Sequence, residues 1–178
     1  SGAEANETAL KWARLYAHRG DKPLRRTIMC FTGAFHGRAM GALACSPTPK
    51  YQEPFAPLMG GVSVSPFNDV AALRRNLDDS HAGVIVEVVQ GEGGLSTMTQ
   101  EFAAALNELC AAKDILLIAD EVQTGLGRTG HLLACHDVGL KPDLVTLAKP
   151  LAGGLPLSAV LMPAKVNDRV HVGDHGTT

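Results

Sequence analysis

Short runs of consecutive apolar residues alternate along the chain with longer stretches in which apolar residues recur at helical spacing. The apolar runs predict strands at 27–31, 62–65, 83–89, 115–119, 144–148 and 158–162. The helical spacing predicts helices at 3–18, 68–77 and 100–113, with Ser1 and Asn68 as caps of the first two. The runs are continuously apolar, so helices are expected to cover both sheet faces. The pattern therefore predicts an α/β fold with a mostly parallel sheet flanked by helices.

The composition and charge of the chain limit the kinds of molecule that it is expected to bind. The chain has 178 residues, of which 46% are hydrophobic, and its 16 basic and 18 acidic residues give a net charge of −2. This composition excludes a disordered polymer, and its near-neutral charge gives no general reason to bind nucleic acid or an acidic membrane. No apolar run approaches the roughly 20 residues that cross a bilayer. Small molecules or other proteins are the expected partners.

Cysteine and histidine spacing predicts no metal site. The four cysteines form no C-x-x-C pair, and three of them lie in apolar stretches: Cys30, Cys45 and Cys135. We therefore expect buried free thiols in a reducing compartment. The short basic pairs at 25–26 and 74–75 are expected on solvated faces.

In parallel sheets of this kind, functional groups collect at the carboxyl ends of the strands. Four stretches place polar residues there. They are residues 87–94, residues 120–123, Lys149, and residues 35–38 after the first strand. These four stretches are the candidate site.

Lys149 and Asp120 suggest the chemistry, although each has a simpler interpretation. Lys149 is either a surface lysine in a loop or an amine in a partly desolvated cleft that is suited to Schiff-base chemistry. Asp120 is either a turn residue or the holder of a cation, and that cation could be a protonated pyridine nitrogen or a metal. Glu121 beside it could be a solvated charge.

The two ends of the chain add a third element. The residues Ser1, Gly2 and Ala3 precede a helix, and free N–H groups at a helix start suit a phosphate. Thr177 and Thr178 add hydroxyl groups that are also compatible with phosphate. An amine, an acid and a phosphate site together describe pyridoxal 5'-phosphate (PLP), an aromatic aldehyde with a basic ring nitrogen.

Ordered sequence blocks carry a resemblance to a known family. They are SGAEANETALKWAR, AFHGRAMGAL, EVVQGEGG, LLIADEVQTGLGRTG, PDLVTLAKPLAGGLP and GDHGTT. The set resembles the class III PLP-dependent aminotransferases over nearly the whole chain. Three of the blocks are most similar to the acetylornithine aminotransferases and their close relatives. The resemblance implies the large domain of a fold-type I PLP-dependent transferase.

The resemblance implies roles around the cofactor ring. Lys149 would form the Schiff base with PLP and carry a proton between substrate Cα and cofactor C4′. Asp120 would keep the ring nitrogen protonated. Phe35 and Val122 would cover the two ring faces, and Gln123 would hydrogen-bond near the phenolic oxygen.

Further roles concern the phosphate. Gly2 and Ala3 would donate backbone N–H groups to it, and Thr178 would reach the phosphate of a neighbouring subunit's cofactor. Glu121 is grouped with the cofactor-binding residues. The implied assembly is a homodimer with the site at the subunit interface.

The resemblance also implies substrate contacts. Arg38 would bind a substrate carboxylate through its planar fork of donors, and Thr177 would lie near the neighbouring subunit's substrate. Glu92 resembles the glutamate that pairs with a second, carboxylate-binding arginine in such enzymes. The implied reaction moves an amino group from N-acetylornithine or a similar ω-amino donor to 2-oxoglutarate, within arginine biosynthesis.

Some features depart from the family pattern. Val88 stands where Pro is common, Ala39 where Thr is common, and Pro150 where Gly is common. The small domain that both chain ends build in this family is missing, as is the arginine that pairs with Glu92. We therefore expect residues 1–178 to be an incomplete PLP-binding large domain with little turnover of its own.

Two alternatives stay open. A truncated domain could serve as an inactive folding or association scaffold, and the donor could instead be ornithine, succinylornithine, 4-aminobutyrate or an acylated lysine. The expected location is cytoplasmic, or the mitochondrial matrix in a eukaryote.

Overall fold

The computed structural model describes residues 1–175. The strands are β1 (Thr27–Phe31), β2 (Val62–Ser65), β3 (His81–Val86), β4 (Val89–Gln90), β5 (Ser96–Thr97), β6 (Leu116–Asp120), β7 (Leu144–Leu147) and β8 (Ala159–Leu161). The α-helices are α1 (Gly2–Arg19), α2 (Met40–Ala44), α3 (Pro49–Gln52), α4 (Val70–Asn76), α5 (Gln100–Lys113) and α6 (Ala164–Asn167). The predicted α/β class is confirmed.

One mixed sheet organises the chain. Its strand order is β2-β1-β3-β6-β7-β8, and all pairs are parallel except the edge pair β7–β8. The chain moves from β1 outward to β2 and then returns across β1 to β3, so the direction of winding reverses between β1 and β3. Ligands of such sheets bind at this reversal, outside the carboxyl ends of the strands.

Helices cover both faces of the sheet, as the continuous apolar strands predict. On one face α1 buries Leu10, Trp12 and Tyr16 against the sheet. On the other face α4 and α5 bury Leu73 and Phe102. Each buried side chain of this size contributes roughly 1.5–3 kcal/mol, so the two layers together hold the strand ends in register.

Two predicted boundaries are wrong for local reasons. β3 ends at Val86, because the chain then leaves the sheet and Val89 pairs with Thr97 in a separate two-stranded hairpin. The cap of α4 is Asp69, whose carboxylate accepts a hydrogen bond from the Ala72 N–H at 2.8 Å. Asn68, the predicted cap, instead has a positive φ of 60°.

Other expectations concern burial. All four cysteines are buried and free, as predicted, and burial raises the pKa of both Cys110 and Cys135 to about 12. Arg25 corrects the expectation of a solvated basic pair. It is 6% exposed and donates to the Lys113 carbonyl at 2.6 Å and to the Asp79 carboxylate at 2.9 Å. Within residues 1–175, no helix is both long enough and apolar enough to span a membrane.

Gly83 lets α1 lie directly on the centre of the sheet. A Cβ atom at this position of β3 would stand 2.8 Å from the Ala13 Cβ and 3.3 Å from the Leu116 carbonyl oxygen. Both distances are shorter than normal contacts, and neither atom belongs to a flexible side chain. The close approach fixes where the first turn of α1 meets the strand ends.

We predict that Gly83→Ala destabilises the fold by about 1–3 kcal/mol, because it forces α1 away from β3. Denaturant unfolding measures the change. Ala13→Gly alone should cost about 1 kcal/mol through helix propensity.

The double variant Gly83→Ala/Ala13→Gly tests the contact itself. Because it removes the clashing methyl group, its destabilisation should be smaller than the sum of the two single changes. Additive effects would show that Gly83 and Ala13 do not constrain each other.

Candidate active site

A cavity of about 230 Å³ opens at the carboxyl ends of the central strands, beside the first turn of α1. It brings together residues that follow β1, β3, β6 and β7, which are far apart in sequence. Its lining consists of Ser1, Gly2, Ala3, Asn6, Phe35, His36, Gly37, Glu87, Val89, Glu92, Asp120, Val122, Gln123, Thr124 and Lys149. Asp120 and Lys149, the acid and the amine singled out from the sequence, therefore share one cavity.

Asp120 is the most constrained group of this cavity. It is the last residue of β6 and is 5% exposed. Its Oδ2 accepts from the Asn6 amide at 2.7 Å and lies 2.8 Å from the His36 Nδ1, while its Oδ1 accepts from the Val122 N–H at 3.0 Å. A buried carboxylate with this many donors is held in one orientation.

His36 contacts the Asp120 carboxyl group through its ring Nδ1. His36 is only 2% exposed. Burial by itself lowers the pKa of His36, but the hydrogen bond and charge of Asp120, together with the charge of Glu87, outweigh it and raise the pKa. Contact with Asp120 therefore opposes the effect of burial on the imidazole.

Glu87 is a second buried carboxyl group of the cavity. It follows β3 directly, is 9% exposed and accepts a hydrogen bond from the Phe35 N–H at 2.9 Å. Burial is the main reason that its pKa is raised to about 7, the nearby His36 charge opposes the rise, and the Asp120 charge adds to it. With this pKa, Glu87 is about half protonated near neutral pH.

Lys149 lies two residues beyond β7, and its side chain is exposed and lines the cavity. Its Nζ donates a hydrogen bond to the Gln123 Oε1. Its backbone N–H donates to the Val122 carbonyl at 3.2 Å, which ties the segment after β7 to the segment after β6. The amine is therefore placed by two neighbouring strand ends.

Phe35 and Arg38 lie on the segment that follows β1. Phe35 is half-buried and lines the cavity. Its ring packs edge-on against the Tyr51 ring, with the two ring centres 6.0 Å apart. Arg38 is exposed, and its guanidinium carbon lies 5.9 Å from the Phe35 ring centre and 5.4 Å from the Tyr51 ring centre. The cation thus stacks beside the cavity rather than lining it.

The first turn of α1 reaches the cavity because Gly2 has no side chain. A Cβ atom there would overlap the Val122 Cγ1 and lie 3.1 Å from its Cγ2. Gly2 and Ala3 both line the cavity, and the N–H groups of a first helical turn have no carbonyl partner within the helix. This end of the cavity is therefore suited to an anion.

Most residues selected from the sequence meet here, with three kinds of exception. Glu121 does not line the cavity and is not a solvated charge, because its fully buried carboxylate accepts from the Thr124 hydroxyl and from the Cys135 N–H at 2.7 Å. Arg38 stands beside the cavity. Thr177 and Thr178 lie outside the described residues.

The sequence selected Glu87 only as part of the candidate stretch 87–94, without a role of its own, and it did not select Asn6 or Thr124. Glu87 carried a usable signal, since it is the first polar residue after an apolar strand. Asn6 carried a weaker one, since it interrupts the buried stripe that Ala9 and Leu10 continue along α1.

The chemistry of the lining fits PLP. It combines an amine, a held carboxylate, an aromatic ring and a helix start, and residues 1–175 contain no cluster of side chains suited to a metal ion. The fold and the lining define an α/β protein in which an amine and a carboxyl group share one cavity. Residues 1–178 match the family model Aminotransferase class-III, and the chain belongs to this family.

Curated relatives cover the whole chain, although the chain spans less than half of their length. It is 45% identical to the acetylornithine aminotransferase of Methanocaldococcus jannaschii, covering 45% of that protein. It is 46% identical to the succinylornithine transaminase of Yersinia enterocolitica, covering 44% of it. Among solved structures, the ornithine aminotransferase of Toxoplasma gondii matches with a TM-score of 0.94 at 39% identity, over 100% of this chain and 43% of that one.

The raised pKa of Glu87 predicts a pH-dependent cost of burial. Between about pH 4.5 and about pH 7 an unfolded chain ionises this group while the folded chain keeps it protonated, so stability falls as pH rises through this window. Glu87→Gln should abolish that loss, which is on the order of 3 kcal/mol by pH 8. Denaturant unfolding of the cofactor-free chain across this range measures the difference.

Glu108→Gln is a control of opposite sign. In the unchanged protein, Glu108 forms a hydrogen bond and an ion pair with Arg74, and these lower the pKa of Glu108. That carboxylate therefore stabilises the fold above its unfolded pKa and loses this effect as pH falls. A stability difference for Glu87→Gln that does not change with pH would contradict the assignment.

Proposed function

We propose that this chain forms the PLP-binding large domain of a PLP-dependent transaminase, and that segments on either side of residues 1–178 supply a small domain. The observation that carries the proposal is the shared cavity of Lys149 and Asp120 at the start of α1. Membership of the class-III aminotransferases supports it. When bound, PLP supplies an aldehyde that condenses with amines and a ring that accepts electrons.

The residues of the chain would divide the work as follows. Lys149 would hold the cofactor through its Nζ, and the amine, once the substrate has released it, would accept the proton that the substrate Cα loses. Asp120 holds the ring nitrogen in its protonated form. Phe35 and Val122 cover the ring faces, and Gln123, which contacts the Lys149 Nζ, orients the phenolic side.

The remaining contacts belong to the phosphate and the substrates. Gly2 and Ala3 bind the phosphate through backbone N–H groups. Arg38 binds a substrate carboxylate, and its stacking on Phe35 keeps it at the edge of the cavity. Glu92, which lines the cavity, pairs with an arginine outside this chain when the substrate carries no second carboxylate.

We further propose N-acetylornithine as the amino donor and 2-oxoglutarate as the acceptor, in arginine biosynthesis. The names of several relatives support an ornithine-type donor. A cytoplasmic location fits this role, although one relative, from Dictyostelium discoideum, is named as mitochondrial.

We also propose that the transaminase is a homodimer, in which Thr177 and Thr178 of one subunit serve the site of the other. Exposed apolar side chains in the segment after Lys149 support an interface, because Leu155 is 76% exposed and Leu157 is 52% exposed. A second subunit packed on this segment would remove both from water.

Borohydride trapping tests the role of Lys149. After incubation with PLP and reduction, the protein should gain the mass of one phosphopyridoxyl group, located at Lys149 by peptide mass spectrometry. Lys149→Arg keeps the charge but should show no adduct, because a guanidinium does not form this bond. Lys141→Ala is the matched control and should be labelled normally, whereas labelling of Lys149→Arg would remove Lys149 from the mechanism.

Glutamate formation separates an enzyme from a scaffold and ranks the donors. The transaminase that contains this chain should form glutamate from 2-oxoglutarate fastest with N-acetylornithine. Succinylornithine, ornithine, 4-aminobutyrate and acetyl-lysine are the comparison donors. Another donor in first place would correct the substrate, and no glutamate from any donor would favour the scaffold.

A further inference from the structure

Asn6 occupies an unusual place for an amide. It lies in the second turn of α1, is 1% exposed and lines the cavity beside Asp120. Its neighbours along the buried stripe of the helix are Ala9 and Leu10, which pack against the sheet. An amide among such residues requires partners, because burial without hydrogen bonds is costly.

The amide nitrogen of Asn6 makes two short hydrogen bonds. It donates to the Asp120 Oδ2 at 2.7 Å and to the His36 carbonyl at 2.7 Å. A primary amide nitrogen carries two N–H donors, so both bonds are satisfied at once. One side chain thereby joins α1, the segment after β1 and the end of β6.

The orientation of this amide is determined by its partners. Turned over, the Asn6 Oδ1 would face the Asp120 Oδ2 and the His36 carbonyl oxygen, and three acceptors would repel one another. In the observed orientation the Oδ1 is buried without a hydrogen-bond partner among residues 1–175. The site therefore accepts an unsatisfied oxygen in order to keep both N–H groups on their acceptors.

The acceptor capacity of Asp120 shows what these bonds achieve. Its Oδ2 meets both Asn6 and His36, and an oxygen of this kind has about two lone-pair directions. Its Oδ1 meets the Val122 N–H at 3.0 Å and the Thr146 hydroxyl only at 3.5 Å. The Oδ2 is thus saturated, and the free capacity of the carboxylate lies on its Oδ1.

We propose that Asn6 is a positioning residue that holds the Asp120 carboxylate in the orientation in which it meets the ring nitrogen of the cofactor. The inference rests on the proposed PLP-dependent function. His36 is the other donor to the same oxygen, but it brings a titratable ring with it. Asn6 is a neutral donor, so it orients the carboxylate without adding a second cation that would compete with the ring nitrogen.

Ring protonation is the direct readout. In the holoenzyme reconstituted with PLP labelled with ¹⁵N at the ring nitrogen, the ¹⁵N chemical shift followed against pH gives the pKa of that nitrogen. Asn6→Ala should lower this pKa by about one unit or more, because a carboxylate free to turn stabilises the ring N–H less well. Circular dichroism verifies folding. Asn107→Ala is the matched control, since the Asn107 amide also makes two hydrogen bonds of 2.8 Å, to the Gly139 carbonyl and from the Lys141 N–H, but does not line the cavity.

Kinetics give a second readout. Asn6→Ala should reduce kcat by about 10- to 100-fold while KM for the amino donor changes less than about threefold, because the residue acts through Asp120 and does not touch the donor. Asn107→Ala should leave both values close to those of the unchanged protein.

A cofactor-free readout covers the case in which Asn6→Ala does not fold. Asn6→Asp keeps the shape but places a carboxylate where the donor was. The His36 ring already faces the charges of Asp120 and Glu87 and the thiol of Cys45, and the added charge should raise its pKa in an NMR titration.

The outcomes separate the two proposals. If the transaminase that contains this chain, without substitutions, failed to bind PLP, the proposed function would be overturned and, with it, the role of Asn6. Normal PLP binding with an unchanged or raised ring-nitrogen pKa in Asn6→Ala would overturn the role of Asn6 alone. An unchanged His36 pKa in Asn6→Asp would do the same.

Discussion

The structure of the site depends on burying the carboxyl group of Asp120 at the end of a central strand. A carboxylate removed from water is costly unless its oxygens receive hydrogen bonds, so the surrounding segments must supply donors at fixed positions. They come from three places in the chain: Asn6 in α1, His36 after β1, and the backbone of Val122 after β6. The need to supply hydrogen bonds to the buried Asp120 carboxyl group therefore explains why these segments converge on one edge of the sheet.

Close packing between α1 and the sheet makes that convergence possible. Gly83 allows the middle of the helix to rest on β3, and Gly2 allows its first turn to reach Val122. A helix held a few tenths of an ångström further away would withdraw the Asn6 amide from Asp120 and the free N–H groups from the anion end of the cavity. Two glycines, both required for close approach, thus set the distance between the two ends of the site.

Much of the fold could be predicted from the local pattern of apolar and polar residues. The residues whose environment was predicted wrongly share one cause. The bounds of β1 and β2 were predicted correctly, because a short apolar run closed by polar residues leaves little choice. Arg25 was expected in solvent, and Glu121 was interpreted as either a solvated charge or a cofactor contact. Neither side chain gives a local sign of its actual partner, which lies about 90 residues away for Arg25 and 14 for Glu121. Asn6 was missed for the same reason, since its partner Asp120 is 114 residues distant. Site chemistry at strand ends is thus readable from sequence, whereas the groups that hold it in place depend on tertiary contacts.

The adjacent acids Asp120 and Glu121 show how one strand end serves two purposes. Successive side chains of an extended segment point to opposite faces, so Asp120 faces the cavity and α1 while Glu121 points the other way. There the Glu121 carboxylate binds the Thr124 hydroxyl and the Cys135 N–H, and it ties the segment after β6 to residues 134–136. Val122 and Gln123 belong to the segment that this carboxylate braces, and both line the cavity. A change at Glu121 would therefore reach the site through the backbone that presents these two residues, although its own side chain does not line the cavity.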